Sequence, residues 1–356
     1  MIVPRVEAPP RRILHARAGD AEGWLVIDTL RDGLAFGGTR FSPSVDEAEV
    51  KGLARAMTWK LAVHGQPVGG AKAGIRCRPS APGVEHAVEE IARQWSRTLE
   101  EDVVLGKDMG ASDALIRTLH AGLGRSQLAA IAHKDPRCPL WLREFAGYLP
   151  HMTGQGVAWA AEAAIDNLAG RTVAIQGAGA VGIGTAVRVI ERGARVVAMS
   201  DIDHAVLCDD GIPIATLTGK TGLAGVSGTR APREAVLGLA VDVLVLAAGS
   251  NTIAVGDART IRAGCVIEAA NFGLTDDARR ALHAARIPTV PDIVASSSSA
   301  AFVAHQLRAA GQREPTAMWN GIRDAIVRYA RVALEPSSST SRDVVADRLR
   351  VEQRHD

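Results

Sequence analysis

Apolar and polar positions alternate in short stretches along the first third of the chain. "GWLVIDTL" (23–30) reads as a strand, Asp32-Gly33 as a turn, and "LAFGGTRF" follows. Val50, Leu53, Ala54, Met57 and Leu61 then recur at helical spacing, and Ser44 followed by Glu47 has the spacing of a capping box. Lys60 falls beside Met57 and Leu61, near the end of that helix. "PVGGAKAGI" (67–75) reads as a glycine-rich turn around Lys72, with "GIRCR" as the strand leading out of it. Residues 84–99 carry a helical pattern, and "DVVLGKDMGAS" reads as a buried strand ending in a polar loop that holds Asp108.

The pattern changes near "TGQGVAWAAEAAIDNL", which begins a helix rich in small residues. An apolar strand at 173–176 then runs into Gly177, Ala178, Gly179, Ala180, Val181 and Gly182, followed by a helix and a second strand at 195–200. Asp201 ends that strand. Strand, G-x-G-x-x-G turn, helix, strand and acid together make the fingerprint of a dinucleotide site. Gly177 permits the tight turn, Gly179 admits a pyrophosphate to the backbone, and Gly182 lets the helix pack on the strand. The helix N-terminus offers N–H groups to phosphate. Asp201 is placed to accept hydrogen bonds from the adenosine ribose, which favours NAD over NADP; the alternative is a simple turn residue. Arg192 and Arg195 are the nearby cations that weigh the other way. "VDVLVLAA", "CVIEAAN" and "IPTVPDIV" read as further parallel strands. Asn251 and Asn271 fall just past two of their ends, where such sheets bind ligands, and Ser296–Ser299 falls past a third. The tail after Pro336 is polar and reads as frayed.

A chain of 356 residues exceeds one ordinary core, so two domains are expected. The expected fold is α/β: an N-terminal α/β substrate domain (1–150), a Rossmann-type dinucleotide domain (151–330), a cleft between them, and a C-terminal segment (331–356) returning to the first domain. Hydrophobic residues make up 47% and charged residues 22%, as in globular proteins. A net charge of +2 gives no argument for nucleic acid or an anionic membrane as partner. Cys77, Cys138, Cys208 and Cys265 stand far apart, which points to reduced thiols in a cytoplasmic protein and to no metal site. The first twelve residues show no apolar leader, and no apolar run reaches the length of a membrane span.

The motifs "GGTRFSPS", "MTWK", "PVGGAKAGI", "GKDMG", "TGQGV", "GAGAVG", "IEAAN" and "PDIVASSSS" resemble, in order, those of the glutamate/leucine/phenylalanine/valine dehydrogenases. The resemblance covers residues 23 to 305, and the length is nearer the leucine and phenylalanine branch. It implies that Lys72 is catalytic, that Lys60 grips a substrate α-carboxylate, and that Asp108 handles protons at the amino group. It also implies substrate contacts at Phe36, Gly37, Gly38 and Val303, and a homo-oligomer, dimer or octamer. The implied reaction is NAD-dependent oxidative deamination of an amino acid to its 2-oxo acid and ammonia, and the reverse. Glutamate-specific members carry a lysine where this chain has Phe36 and a serine where it has Val303, so the expected substrate is apolar or aromatic. The chain departs from the family where Ser296–Ser299 replaces Asn-Ala-Gly-Gly, and again over 133–150. Two rival readings stay open: a dehydrogenase of an unusual biosynthetic substrate, and a non-catalytic NAD-binding homologue.

Overall fold

The computed structural model describes residues 8–121, 151–217, 219, 222–308 and 314–352. The poorly matching stretch 133–150, with Cys138, lies outside them. The chain divides into two units, Met1–Arg143 with Ala300–Met318, and Glu144–Ser299 with Trp319–Asp356.

The first unit runs β1 (Arg12–Ala18), β2 (Ala21–Ile27), β3 (Ala35–Ser42), α1 (Glu47–Val63), β4 (Gly69–Arg76), α2 (Val84–Gln94), α3 (Ser96–Glu101), β5 (Val103–Lys107) and α4 (Asp113–Ala121). Its sheet has the order β1-β2-β4-β3-β5. Every residue of β2 is buried, because both sheet faces are covered. Alternation sorts them: Trp24 and Val26 join Val50 and Ala54 of α1, while Leu25 and Ile27 join Ile91, Trp95 and Leu119 of the other layer. Asp46, with its side chain accepting from Glu49 N at 2.8 Å, caps α1 in place of the expected Ser44, whose hydroxyl bonds Ser42 instead. The helix expected over 84–99 divides at Trp95, which is buried.

Lys72 sits inside β4, not in a turn, and the glycines around it are there for close approach. In register, Lys72 pairs with Val26, and Gly74 with Trp24, on the face that α1 covers. A Cβ on Gly70 would lie 2.2 Å from the Thr58 backbone nitrogen, and one on Gly74 2.4 Å from Val50. Helix α1 therefore rests almost on the strand, and Lys72 is the side chain between those two glycines. Gly70→Ala is expected to cost about 3 kcal/mol by overpacking and to lower the Tm by roughly 5–10 °C. Calorimetry checks this; an unchanged Tm would mean that α1 shifts freely.

The second unit comprises α5 (Met152–Ile165), β6 (Thr172–Gln176), α6 (Ala180–Ile190), β7 (Arg195–Ser200), β8 (Ala205–Leu207), β9 (Thr229–Ala231), β10 (Val243–Leu246), α7 (Val255–Ala258), β11 (Cys265–Glu268), α8 (Asp276–Ala284), β12 (Thr289–Val290), α9 (Asp292–Ala295), α10 (Ser298–Arg308), α11 (Pro315–Ala333) and α12 (Ser341–Glu352). Residues Ala300–Met318 of this run belong to the first unit. The sheet order is β12-β11-β10-β6-β7-β8-β9, parallel from β12 to β7 and antiparallel beyond. This is the doubly wound arrangement, reversing direction at β6.

The C-terminal segment differs from expectation. The stretch that joins the first unit is Ala300–Met318, whereas 331–356 stays with the second. The reason is α12: Val345, Ala346 and Leu349 are buried, Arg342 pairs with Asp292 at the end of β12, and Tyr329 bonds Glu352 at 2.5 Å. The polar look of the tail hid one apolar stripe and these ion pairs. No helix of the described residues is long and apolar enough to cross a membrane.

Candidate active site

Two sites stand out, one in each unit. In the first, a hydrogen-bonded knot fastens α1 to the sheet and so sets both lysines. Asp28, at the end of β2, accepts from Arg55 Nε at 2.7 Å and from Thr58 Oγ1 at 2.5 Å. Thr58 meets the Thr29 hydroxyl at 3.0 Å, and Thr29 accepts from Gly70 N at 2.9 Å. Lys60 follows Thr58 by two residues and Lys72 follows Gly70 by two. Both lysines are buried, at 7% and 5% exposure.

Lys72 Nζ lies 3.0 Å from Asp108 Oδ2, in the loop after β5. Arg40 of β3 donates from Nε to the same oxygen at 2.9 Å, so Oδ1 carries neither bond. Arg40 is 3% exposed and pairs by its other end with Glu49 in the first turn of α1. Burial pulls the Lys72 amine below its usual range; Asp108 opposes this and Arg40 adds to it. Burial works to raise the Asp108 carboxyl, but Lys72 and Arg40 outweigh it and hold that group well below the usual carboxylate range. Gly37 and Gly38 of β3 make room for this cluster: a Cβ on Gly37 would strike Ala71 O at 1.8 Å, and one on Gly38 would lie 3.0 Å from Asp108 Cβ. Arg40, Glu49, Asp28 and Thr58 escaped the sequence reading. The arginine inside "GGTR", directly after two packed glycines, was the available signal for the first of them.

Phe36 and Val303 come together in the first unit. They share one apolar cluster with Leu34, Met57, Leu61, Val104 and Leu307. Met57 and Leu61 flank Lys60 on α1, which puts an apolar cluster next to a buried cation.

In the second unit the three glycines fill three different needs. Gly177 has φ +101°, and its Cβ would meet Ala247 at 2.7 Å. A Cβ on Gly182 would strike Gly177 O at 1.8 Å, so α6 touches β6. Nothing lies within 4 Å of a Cβ on Gly179, which leaves that backbone open to a ligand. No side chain caps the α6 N-terminus, where Ala180, Val181 and Gly182 present their N–H groups. A cavity of about 830 Å³ opens here, lined by Gln176, Gly177, Ala178, Gly179, Asp201 and Thr252 among others. It lies where β6 meets β10, at the switch point of the sheet. These residues fit a dinucleotide.

Asp201 lines this cavity. Its Oδ1 accepts from Asp203 N and His204 N at 2.9 and 3.0 Å, and Oδ2 from Leu223 N at 3.2 Å. Burial acts to raise this carboxyl, but the three backbone donors prevail and keep it ionised and aimed. Arg192 and Arg195 turn elsewhere, to Arg188 O and Asp209 O. Among the described residues, the cation on the cavity wall is Arg233, paired with Glu234. Asn251 and Asn271 sit just past β10 and β11, beside the cavity's lining and not in it. Asn251 N donates to Phe272 O at 2.6 Å, and Phe272 N to Asp292 Oδ2 at 3.0 Å, which joins the two loops.

The serine run spans the junction of two helices: Ser296 and Ser297 link α9 to α10, and Ser298 and Ser299 begin α10. Ser296 and Ser297 return hydroxyls to Asp292 O and Val294 O, and Ser298 bonds Met152 O at 2.7 Å. Ser299 meets the Thr153 hydroxyl at 2.8 Å. These hydroxyls thus bond α9 and the start of α5. No cluster that could hold a metal occurs among the described residues.

A two-unit α/β protein with a dinucleotide turn in one unit and a buried Lys–Asp–Arg cluster in the other is the class these features define. The family model for glutamate/leucine/phenylalanine/valine dehydrogenase matches residues 148–309, and the model for the dimerisation domain of the same enzymes matches 16–122. Glutamate dehydrogenase A2 of Halobacterium salinarum is 31% identical over 292 residues, 73% of this chain and 66% of that protein. The NAD-specific glutamate dehydrogenase of Staphylococcus aureus is 33% identical over 275 residues, again 73% of this chain and 66% of that one. The matched stretch thus spans just under two thirds of these relatives' length. The solved hetero-hexameric glutamate dehydrogenase of Thermus thermophilus, in its Leu-bound form, shares the fold at TM-score 0.73 and 24% identity, covering 97% of this chain and 90% of that one. The chain belongs to the glutamate/leucine/phenylalanine/valine dehydrogenase family.

Proposed function

We propose that this protein oxidatively deaminates an apolar or aromatic L-amino acid with NAD, and runs the reverse amination of the 2-oxo acid. The observation that carries the reading is the buried Lys72–Asp108–Arg40 cluster, in the same unit as Lys60 and the Phe36–Val303 apolar cluster. Lys60 offers its ammonium to the substrate α-carboxylate. NAD, when bound at the glycine turn, supplies the acceptor for the hydride that leaves Cα. Lys72, neutral, takes a proton from the water that adds at that carbon. Asp108 Oδ1 exchanges protons with the substrate nitrogen as ammonia departs. Asp201, ionised, accepts from ribose hydroxyls and repels a 2′-phosphate. The match to a dimerisation-domain model supports self-association through the first unit.

The test is oxidation of NADH by a panel of 2-oxo acids with and without ammonium. Turnover is expected with apolar oxo acids, only when ammonium is present, and several-fold better with NADH than NADPH in kcat/KM. Ammonium-independent turnover would point to a hydroxy-acid enzyme. A preference for NADPH would hand the ribose to Arg233.

A further inference from the structure

The ion cluster poses a problem for its own chemistry. A base must lose its proton, yet Asp108, 3.0 Å from Lys72, favours the ammonium form. Were these two groups alone, deprotonating Lys72 would strand a buried carboxylate without a counter-ion, at high cost. Arg40 changes this. Its guanidinium is permanently charged, it is buried, and it shares the oxygen that Lys72 uses.

We propose that Arg40, anchored by Glu49, is the positioning residue that lets Lys72 stand neutral, by remaining as the counter-ion of Asp108 when the lysine gives up its proton. This rests on the base role given to Lys72 above and adds the residue that makes the role affordable. The charges that act on Lys72 come from three elements: Asp108 after β5, Arg40 on β3 and Glu49 on α1. Lys60 also lies on α1. Glu49 works against Arg40. It is a carboxylate with 30% of its side chain exposed, so water screens it, and it holds the guanidinium in place from the outside.

The signs follow directly. Removing the Arg40 charge favours protonated Lys72, so more alkaline conditions are needed to free the amine. Removing the Glu49 charge favours neutral Lys72. Two readouts on the full chain with NAD separate this proposal from the reaction itself. One is the acid limb of kcat/KM for oxidative deamination. The other is the pH midpoint for trace acetylation of Lys72 by acetic anhydride, read by peptide mass spectrometry, which needs no turnover. Arg40→Gln is expected to move both midpoints up by about one pH unit or more. Arg40→Lys, which keeps the charge, should return most of that shift, and Glu49→Gln should move both midpoints down by a smaller amount. Damage to packing alone lowers activity without opposite shifts. Should Arg40→Gln fail to fold, Glu49→Gln still reads the sign. Midpoints that stay put, or that move the same way in Arg40→Gln and Glu49→Gln, would overturn the proposal. Opposite shifts in acetylation without any deamination would uphold it and sink the base role instead.

Discussion

Lys72→Ala is expected to reduce amino-acid oxidation by ~10²–10⁴-fold, the usual worth of a positioned general base, while NAD titrates as in the wild type. The expected split comes from where the groups sit. Lys72 belongs to the first unit's sheet, and the glycine turn with Asp201 belongs to the second unit. The substitution also spares the local charge balance, because Arg40 still neutralises Asp108 Oδ2. It trims a side chain between Gly70 and Gly74 without placing new atoms against α1. The protein should therefore fold, with a Tm close to wild type, and lose chemistry rather than structure. NADH absorbance measures the turnover and fluorescence titration the binding. Turnover near the wild-type rate would make Lys72 a structural counter-ion of Asp108 and nothing more.

The strand–turn–helix–strand start of the dinucleotide unit was legible in the sequence, because its signals are local. The 195–200 strand, the three glycines and the acid after the second strand each follow from neighbours a few positions away. The first unit was legible in its elements but not in its reasons. The glycines about Lys72 looked like a turn, since short-range reasoning associates glycine with positive φ. Their cause is the approach of α1, whose Thr58 and Val50 lie far from them in sequence. The knot of Asp28, Thr29, Arg55 and Thr58 was hidden for the same reason: four ordinary polar residues gain meaning only when β2, α1 and β4 meet. The role of the serine run was hidden for a similar reason. Four hydroxyls in a row carry no local signal of burial, yet each finds a backbone carbonyl or a hydroxyl within the fold. A hydroxyl so satisfied behaves as a small packing residue, and Ser297 and Ser298 are fully buried.

Side-chain choice should follow the Phe36–Val303 cluster. Apolar or aromatic amino acids are expected to exceed glutamate by at least ~100-fold in kcat/KM, although the relatives matched above are named glutamate dehydrogenases. The apolar cluster around Phe36 and Val303 is formed by Leu34, Met57, Leu61, Val68, Val104, Ala300, Ala304 and Leu307. A second carboxylate placed against those groups loses its water and gains no partner, which costs several kcal/mol. About 2.7 kcal/mol already amounts to 100-fold. Of the buried cations of this unit, Arg40 is committed to Asp108 and Glu49, Arg31 donates to the Gln66 carbonyl, and Lys60 in the proposed reading serves the α-carboxylate. Phe36→Lys should narrow the gap by bringing a charge into the cluster, raising glutamate turnover and depressing that of leucine or phenylalanine. Steady-state kinetics on glutamate, leucine, valine and phenylalanine with both proteins reads the ranking. A wild-type preference for glutamate would show that its side-chain carboxylate is held outside this cluster, and Phe36→Lys would then leave the ranking where it was.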